Sequence, residues 1–138
     1  MRSIFQHKLI ILIGGIIISF FFGCQKASIN GNLDGRWQLM EIEENQRVLS
    51  VKDKQLYYNF YMHVFNLSKY GEYSSNGNFS FEDNKIFIDF PYINTSTGME
   101  RLNEYYIFSN PVEFEVEYLS KEKLILKEDD LLITLRKF

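Results

Sequence analysis

Along residues 33–138 the apolar positions recur mostly at every second residue, the period of half-buried β-strands. The clearest case is Val112, Phe114, Val116 and Tyr118, alternating with Glu113, Glu115 and Glu117. Such a strand buries one face and leaves a charged face to water. Phe79 and Phe81, the polar turn Glu82-Asp83-Asn84-Lys85, and then Ile86, Ile88 and Phe90 predict a hairpin. Arg36 to Ile42 reads as a first strand and Arg47 to Val51 as a short second one. Gln55 to Leu67 predicts the longest strand. Its first parity, Leu56, Tyr58, Phe60, Met62 and Val64, is apolar and expected to face the core. The other, Tyr57, Asn59, Tyr61, His63 and Phe65, is mixed. Ser68 to Asn78 reads as a loop or ragged strand, Pro91 to Leu102 as a polar loop, and Asn103 to Phe108 as a short strand. Leu124-Ile125-Leu126 and Leu131 to Lys137 close the chain.

No stretch has a convincing helical period. About eight short sequential strands joined by tight turns predict an all-β fold, an up-and-down antiparallel barrel. Closure removes the exposed edges. Eight strands leave an interior just wide enough to be filled by side chains or to hold one small ligand.

The first residues follow another rule. Arg2 and Lys8 precede an apolar run of fourteen residues, Leu9 to Phe22, and then Gly23 and Cys24. A spanning helix needs about 20 apolar residues, a secretion signal about 7–15. An uncleaved membrane helix with an incidental thiol is the competing reading, and the run is short for it. Cys24 is the single cysteine, so no disulfide forms within the chain. The expected organisation is a signal segment over 1–23, a lipidated Cys24 with a short polar tether to residue 32, and a barrel over 33–138. Lipidation of Cys24 makes the membrane a partner.

Residues 24–138 carry 13 basic and 18 acidic side chains, a net charge of −5. That argues against a nucleic-acid partner, which wants a basic face. The same residues hold nine Phe, nine Tyr and Trp37. These aromatics either fill the barrel or line a cavity in it. In the second case Tyr58, Phe60, Met62, Phe114, Val116 and Tyr118 are the expected ligand-binding residues, for a small apolar or amphipathic molecule. In the first, the outer surface or the 91–102 loop binds another envelope protein. The face of Tyr57, Tyr61, His63 and Phe65 is then the natural candidate.

Catalytic patterns are missing. His63 is the only histidine after the signal segment, and no further ligand stands near it in sequence, so no metal is expected. No nucleophile elbow and no glycine-rich phosphate loop occurs, and no cofactor is expected. The Glu113, Glu115, Glu117 row reads as a solvated outer face, not as paired carboxylates across a cleft. A binding protein is expected, not an enzyme.

Two resemblances sharpen this reading. Phe21-Phe22-Gly23-Cys24 resembles a bacterial lipobox of the relaxed kind found in Bacteroidota. Gln25 follows the cysteine and no acid precedes Asp34. By likeness to known sorting signals, this implies an outer-membrane lipoprotein facing the periplasm. Gly35-Arg36-Trp37 at the first strand of a meander barrel resembles the lipocalin signature. The whole layout, through Leu33 to Leu39, Val51 to Gln55 and the closing Leu135-Arg136-Lys137-Phe138, resembles lipocalin-like small lipoproteins of Bacteroidota. The resemblance implies that Gly35 and Trp37 are structural, with Arg136 from the last strand packed on the Trp37 indole at the closed end of the barrel.

Overall fold

A computed structural model describes residues 28–138. Nine strands make one antiparallel sheet: β1 (Gly35–Glu44), β2 (Arg47–Ser50), β3 (Leu56–Tyr61), β4 (Val64–Lys69), β5 (Glu72–Glu82), β6 (Lys85–Asp89), β7 (Val112–Leu119), β8 (Lys123–Glu128) and β9 (Leu131–Lys137). Among the described residues one α-helix, α1 (Ser96–Glu104), lies between β6 and β7. The strand order is β2-β1-β3-β4-β5-β6-β7-β8-β9, and β1 also pairs with β9. Eight strands thus close into a barrel. The first half of β1 pairs with β3 and its second half with β2, so the β1–β2 hairpin stands out as a flap.

The registers define two ends. Residues 33–35, the Met62-His63, Asp83-Asn84 and Ser120–Glu122 turns and the C-terminus share one end. The Asn45-Gln46, Tyr70-Gly71 and Asp129-Asp130 turns and the long 90–111 connection share the other.

Leu33 and Trp37, both fully buried, close the first end. The Trp37 indole N–H donates to the Leu33 carbonyl at 2.8 Å, so the buried ring leaves no polar atom unmet. The cation on its face is Lys137, 4.3 Å from the ring centroid. Lys137 Nζ also donates to the Asn32 and Asp34 carbonyls. Arg136 instead donates to Gln38 Oε1 at 3.0 Å on the outer wall. The expected Arg136–Trp37 contact is therefore replaced by Lys137. Trp37 pairs with Lys137 and Gln38 with Arg136 across β1 and β9, so these two basic residues lie on opposite faces. Gly35 fits this arrangement twice over. Its φ of +133° disfavours any side chain, and a Cβ there would sit 2.9 Å from Lys137 Nζ.

The expected long strand over 55–67 is a hairpin. Met62 takes φ 56° and, with His63, forms a two-residue turn. Neither residue belongs to the usual turn formers. The turn reverses the parity: Tyr58 faces Leu67 and Phe60 faces Phe65 across the pair, and all four are buried. Met62 and Val64, expected inside, are 46% and 45% exposed. A bulge between Val116 and Tyr118 does the same in β7. Phe114 is buried and Val116 half-buried, but Tyr118 turns out to solvent and Leu119 takes the inner side. Ser68 to Asn78 is ordered strand on both sides of the Tyr70-Gly71 turn.

The largest departure is α1, where a loop and a strand were expected. Its residues are mostly polar, with Leu102 its one buried side chain, so no apolar stripe announces it. Thr95 caps it, its hydroxyl accepting from the Gly98 N–H at 3.1 Å. Leu102, Tyr105 and Ile107 are buried against the barrel, and this tertiary packing supports a helix of marginal propensity. Asn110 ties the ends of the connection together: its amide accepts from Phe90 N–H and donates to the carbonyls of Phe90 and Ile93.

Urea unfolding tests the closed end. Trp37→Ala should cost about 3–5 kcal/mol, as for other buried large aromatics, and Lys137→Ala should cost more than Arg136→Ala. A Trp37→Ala loss below about 1 kcal/mol, or a larger loss for Arg136→Ala, would contradict this assignment.

Candidate binding cleft at the barrel mouth

Aromatic rings in contact run through the interior. Phe65 lies 5.2 Å from Tyr58, 5.0 Å from Phe60 and 5.9 Å from Phe90 between ring centroids, and Phe60 lies 5.1 Å from Phe79. Tyr58, Phe60 and Phe114 are at most 1% exposed. Tyr58 donates its hydroxyl to the Tyr105 carbonyl, joining the core to the 90–111 connection. Burial, with Glu128 nearby, raises the Tyr58 phenol pKa well above its ordinary value. It stays a neutral donor.

Clefts that open to solvent lie outside this packed core. A cleft of about 500 Å³ opens between the β1–β2 flap and the segment after α1. Ile42 and Leu131 form a buried floor, 5% and 7% exposed. Tyr106, Phe108 and Leu49 make apolar walls, while Arg47 and Glu44 stand at the edge. Lys54 Nζ donates to the Tyr106 hydroxyl at 2.8 Å and sets that wall. Tyr106 takes φ 62°, a rare backbone for an aromatic residue. This turns the chain so that Ile107 is buried while Phe108 remains 55% exposed. An apolar floor with ions at the rim suits an amphipathic molecule.

A second cleft, of about 440 Å³, lies between β5 and α1. Tyr73, Tyr92 and Arg101 flank it, and most of its other residues are Ser, Thr or Asn. It lacks a comparable apolar floor. Among the described residues no group of three or more His, Cys, Asp or Glu side chains is placed to hold a metal ion. Glu113 and Glu117 reach Lys85 and Lys127 at 3.5 and 3.9 Å on the exposed wall.

The six expected ligand-binding residues do not form one surface. Tyr58, Phe60 and Phe114 are in the sealed core, Val116 is half-buried, and Met62 and Tyr118 point to solvent. The expected outer face also divides. Phe65 is in the core, while Tyr57 is covered by Arg36, 3.9 Å from its ring centroid, and by Phe138 at 5.2 Å. Cys24 lies outside the described residues. The cleft residues Arg47, Leu49, Tyr106 and Phe108 carry no motif. The one local signal is Val48-Leu49, an apolar pair on a strand too short to bury it.

Comparison with known proteins agrees with this architecture. The family model for the lipocalin-like domain matches residues 18–138. The chain belongs to this lipocalin-like family. A lipocalin-like protein from Bacteroides uniformis, known from its crystal structure, is 25% identical. The match covers 78% of this chain and all of that one, with a TM-score of 0.65. An uncharacterized protein from Bacteroides eggerthii is also 25% identical, over 76% of this chain and 98% of that one, with a TM-score of 0.60. No curated protein matches.

Near the mouth of this lipocalin-like barrel sits the Glu128 carboxylate. Glu128 accepts from the Ser109 hydroxyl at 3.1 Å, but burial outweighs that bond and raises its pKa. Between its unfolded and folded pKa values the folded state holds a proton that the unfolded chain lacks. This contribution to stability is therefore full below the ordinary carboxylate range and is lost as pH rises through the folded pKa. Glu128→Gln keeps an acceptor for Ser109 and removes the charge. Thermal melts should show the variant more stable than the native protein at neutral pH, with the difference vanishing in acid. Equal stability at neutral pH would contradict this.

Proposed function

We propose that this protein is an envelope lipoprotein, anchored through acylated Cys24, whose filled barrel binds a small amphipathic molecule in the cleft at its mouth. The observation that carries the reading is the pairing of a packed aromatic core with an open cleft floored by Ile42 and Leu131. A ligand there would lay apolar surface against Leu49, Tyr106 and Phe108 and present a polar group to Arg47. An anionic head fits Arg47 best, as a guanidinium pairs readily with carboxylate or phosphate.

The geometry gives the anchor a consistent sense. The chain enters the barrel at the closed end, and the cleft lies at the opposite end. A barrel held by Cys24 thus turns its mouth away from the membrane, toward the periplasm if the anchor is in the outer membrane. Binding, not catalysis, is the role this arrangement serves. A second reading rests on Val48, 60% exposed, beside Leu49 and Phe108, each 55% exposed. These side chains extend the apolar rim beyond the cleft, and another envelope protein could seat on it.

Native mass spectrometry on the protein taken gently from its own envelope decides between them. The ligand reading expects an extra mass that is released on denaturation and lost in Leu49→Asp. A bare mass in both, with a crosslinked partner lost in Leu49→Asp, would replace it with the second reading.

A further inference from the structure

The closed end carries a feature that neither the barrel nor the mouth cleft uses. The β3–β4 turn projects Tyr61, Met62 and Val64 into solvent, 67%, 46% and 45% exposed. The other two turns at that end are charged: Glu82-Asp83-Asn84-Lys85 and Ser120-Lys121-Glu122-Lys123. Tyr61-Met62-His63-Val64 contains no acid, Lys or Arg. Its backbone is also unusual, with Met62 at φ 56° holding the apolar side chains at the tip.

The start of the described chain is fastened to this turn. Asn30 Nδ2 donates to the Met62 carbonyl at 2.8 Å and to Asp34 Oδ1 at 2.7 Å. Ser28 Oγ donates to the other Asp34 oxygen at 2.9 Å. Ile29, between them in sequence, is 61% exposed. Three residues separate Ser28 from Cys24. A fully extended chain spans at most about 3.6 Å per residue. An acylated Cys24 would therefore keep Ser28 within roughly 14 Å of the bilayer surface.

We propose that the β3–β4 turn is a second membrane contact, resting Tyr61, Met62 and Val64 in the headgroup region of the bilayer that holds the Cys24 acyl chains. The inference rests on the anchor of the preceding reading. Tyrosine suits that depth, having an apolar ring and a polar tip. Three exposed side chains alone would bind a bilayer weakly. Tethering makes their contact intramolecular and supplies a high effective concentration. The contact would fix the tilt of the barrel and hold the mouth cleft away from the lipid.

The full acylated chain in phosphatidylcholine vesicles tests this. An environment-sensitive dye is attached to Met62→Cys, to Val64→Cys, or to Asp130→Cys at the mouth end; acylated Cys24 has no free thiol to compete. The dyes at 62 and 64 should shift to the blue and be quenched several-fold more strongly by lipid-borne spin labels than the dye at 130. Using two positions covers a fold defect at either one. Equal, weak quenching at all three positions in protein that floats with the vesicles would overturn the second contact while leaving the anchor intact. Protein that does not float with the vesicles would overturn the anchor, and this contact with it.

Discussion

The burial of Trp37 is the constraint on which the rest of the barrel depends. An indole wholly removed from water must satisfy its N–H, and the Leu33 carbonyl does so. That bond folds the chain before β1 under the barrel and seals the end. Lys137 covers the ring from the last strand, so the first and last strands are joined by side chains as well as by their ladder. Lys137 sits partly out of water, and burial lowers its pKa even with Asp34 near. Two backbone carbonyls and the indole face surround its ammonium group. Gly35 supplies the backbone freedom and the empty space this requires.

From that sealed end the aromatic rings run through the barrel to Phe90 and Tyr105 under the other. Rings packed in this way stabilise the fold and take up volume that a ligand in the lumen would need. At the rim the β1–β2 flap leaves β3 and exposes the apolar residues of a strand too short to cover them. The two ends then differ in character. One is sealed and close to where the chain enters, and the other is open and cleft.

Most of the fold was legible because strand alternation is a strong signal wherever one face is buried and the other solvated. Val112 to Phe114, Ile86 to Ile88 and Leu131 to Leu135 obey it throughout. Departures arose where one residue changed the phase. Met62 turned the chain with a side chain that marks no turn, and the bulge after Val116 exchanged Tyr118 for Leu119. The helix is not legible because its stability comes from Leu102, Tyr105 and Ile107 docking on a barrel that local sequence does not reveal. Arg136 and Lys137 differ in parity by one residue, and only the β1–β9 register decides which of them shares the face of Trp37. The mouth cleft was illegible for a similar reason: its walls come from β1, β2, β9 and the segment after α1, which only the closed barrel brings together.

On the proposed reading the lumen is full and binding belongs to the rim. Xenon enters apolar cavities and leaves well-packed cores undisturbed, so methyl NMR spectra under xenon pressure test the claim directly. The methyls of Leu39, Leu67, Ile88 and Ile133 should hold their shifts, while those of Leu49 and Leu131 at the cleft respond. Saturable shifts of the core methyls would reveal an interior cavity and contradict the account.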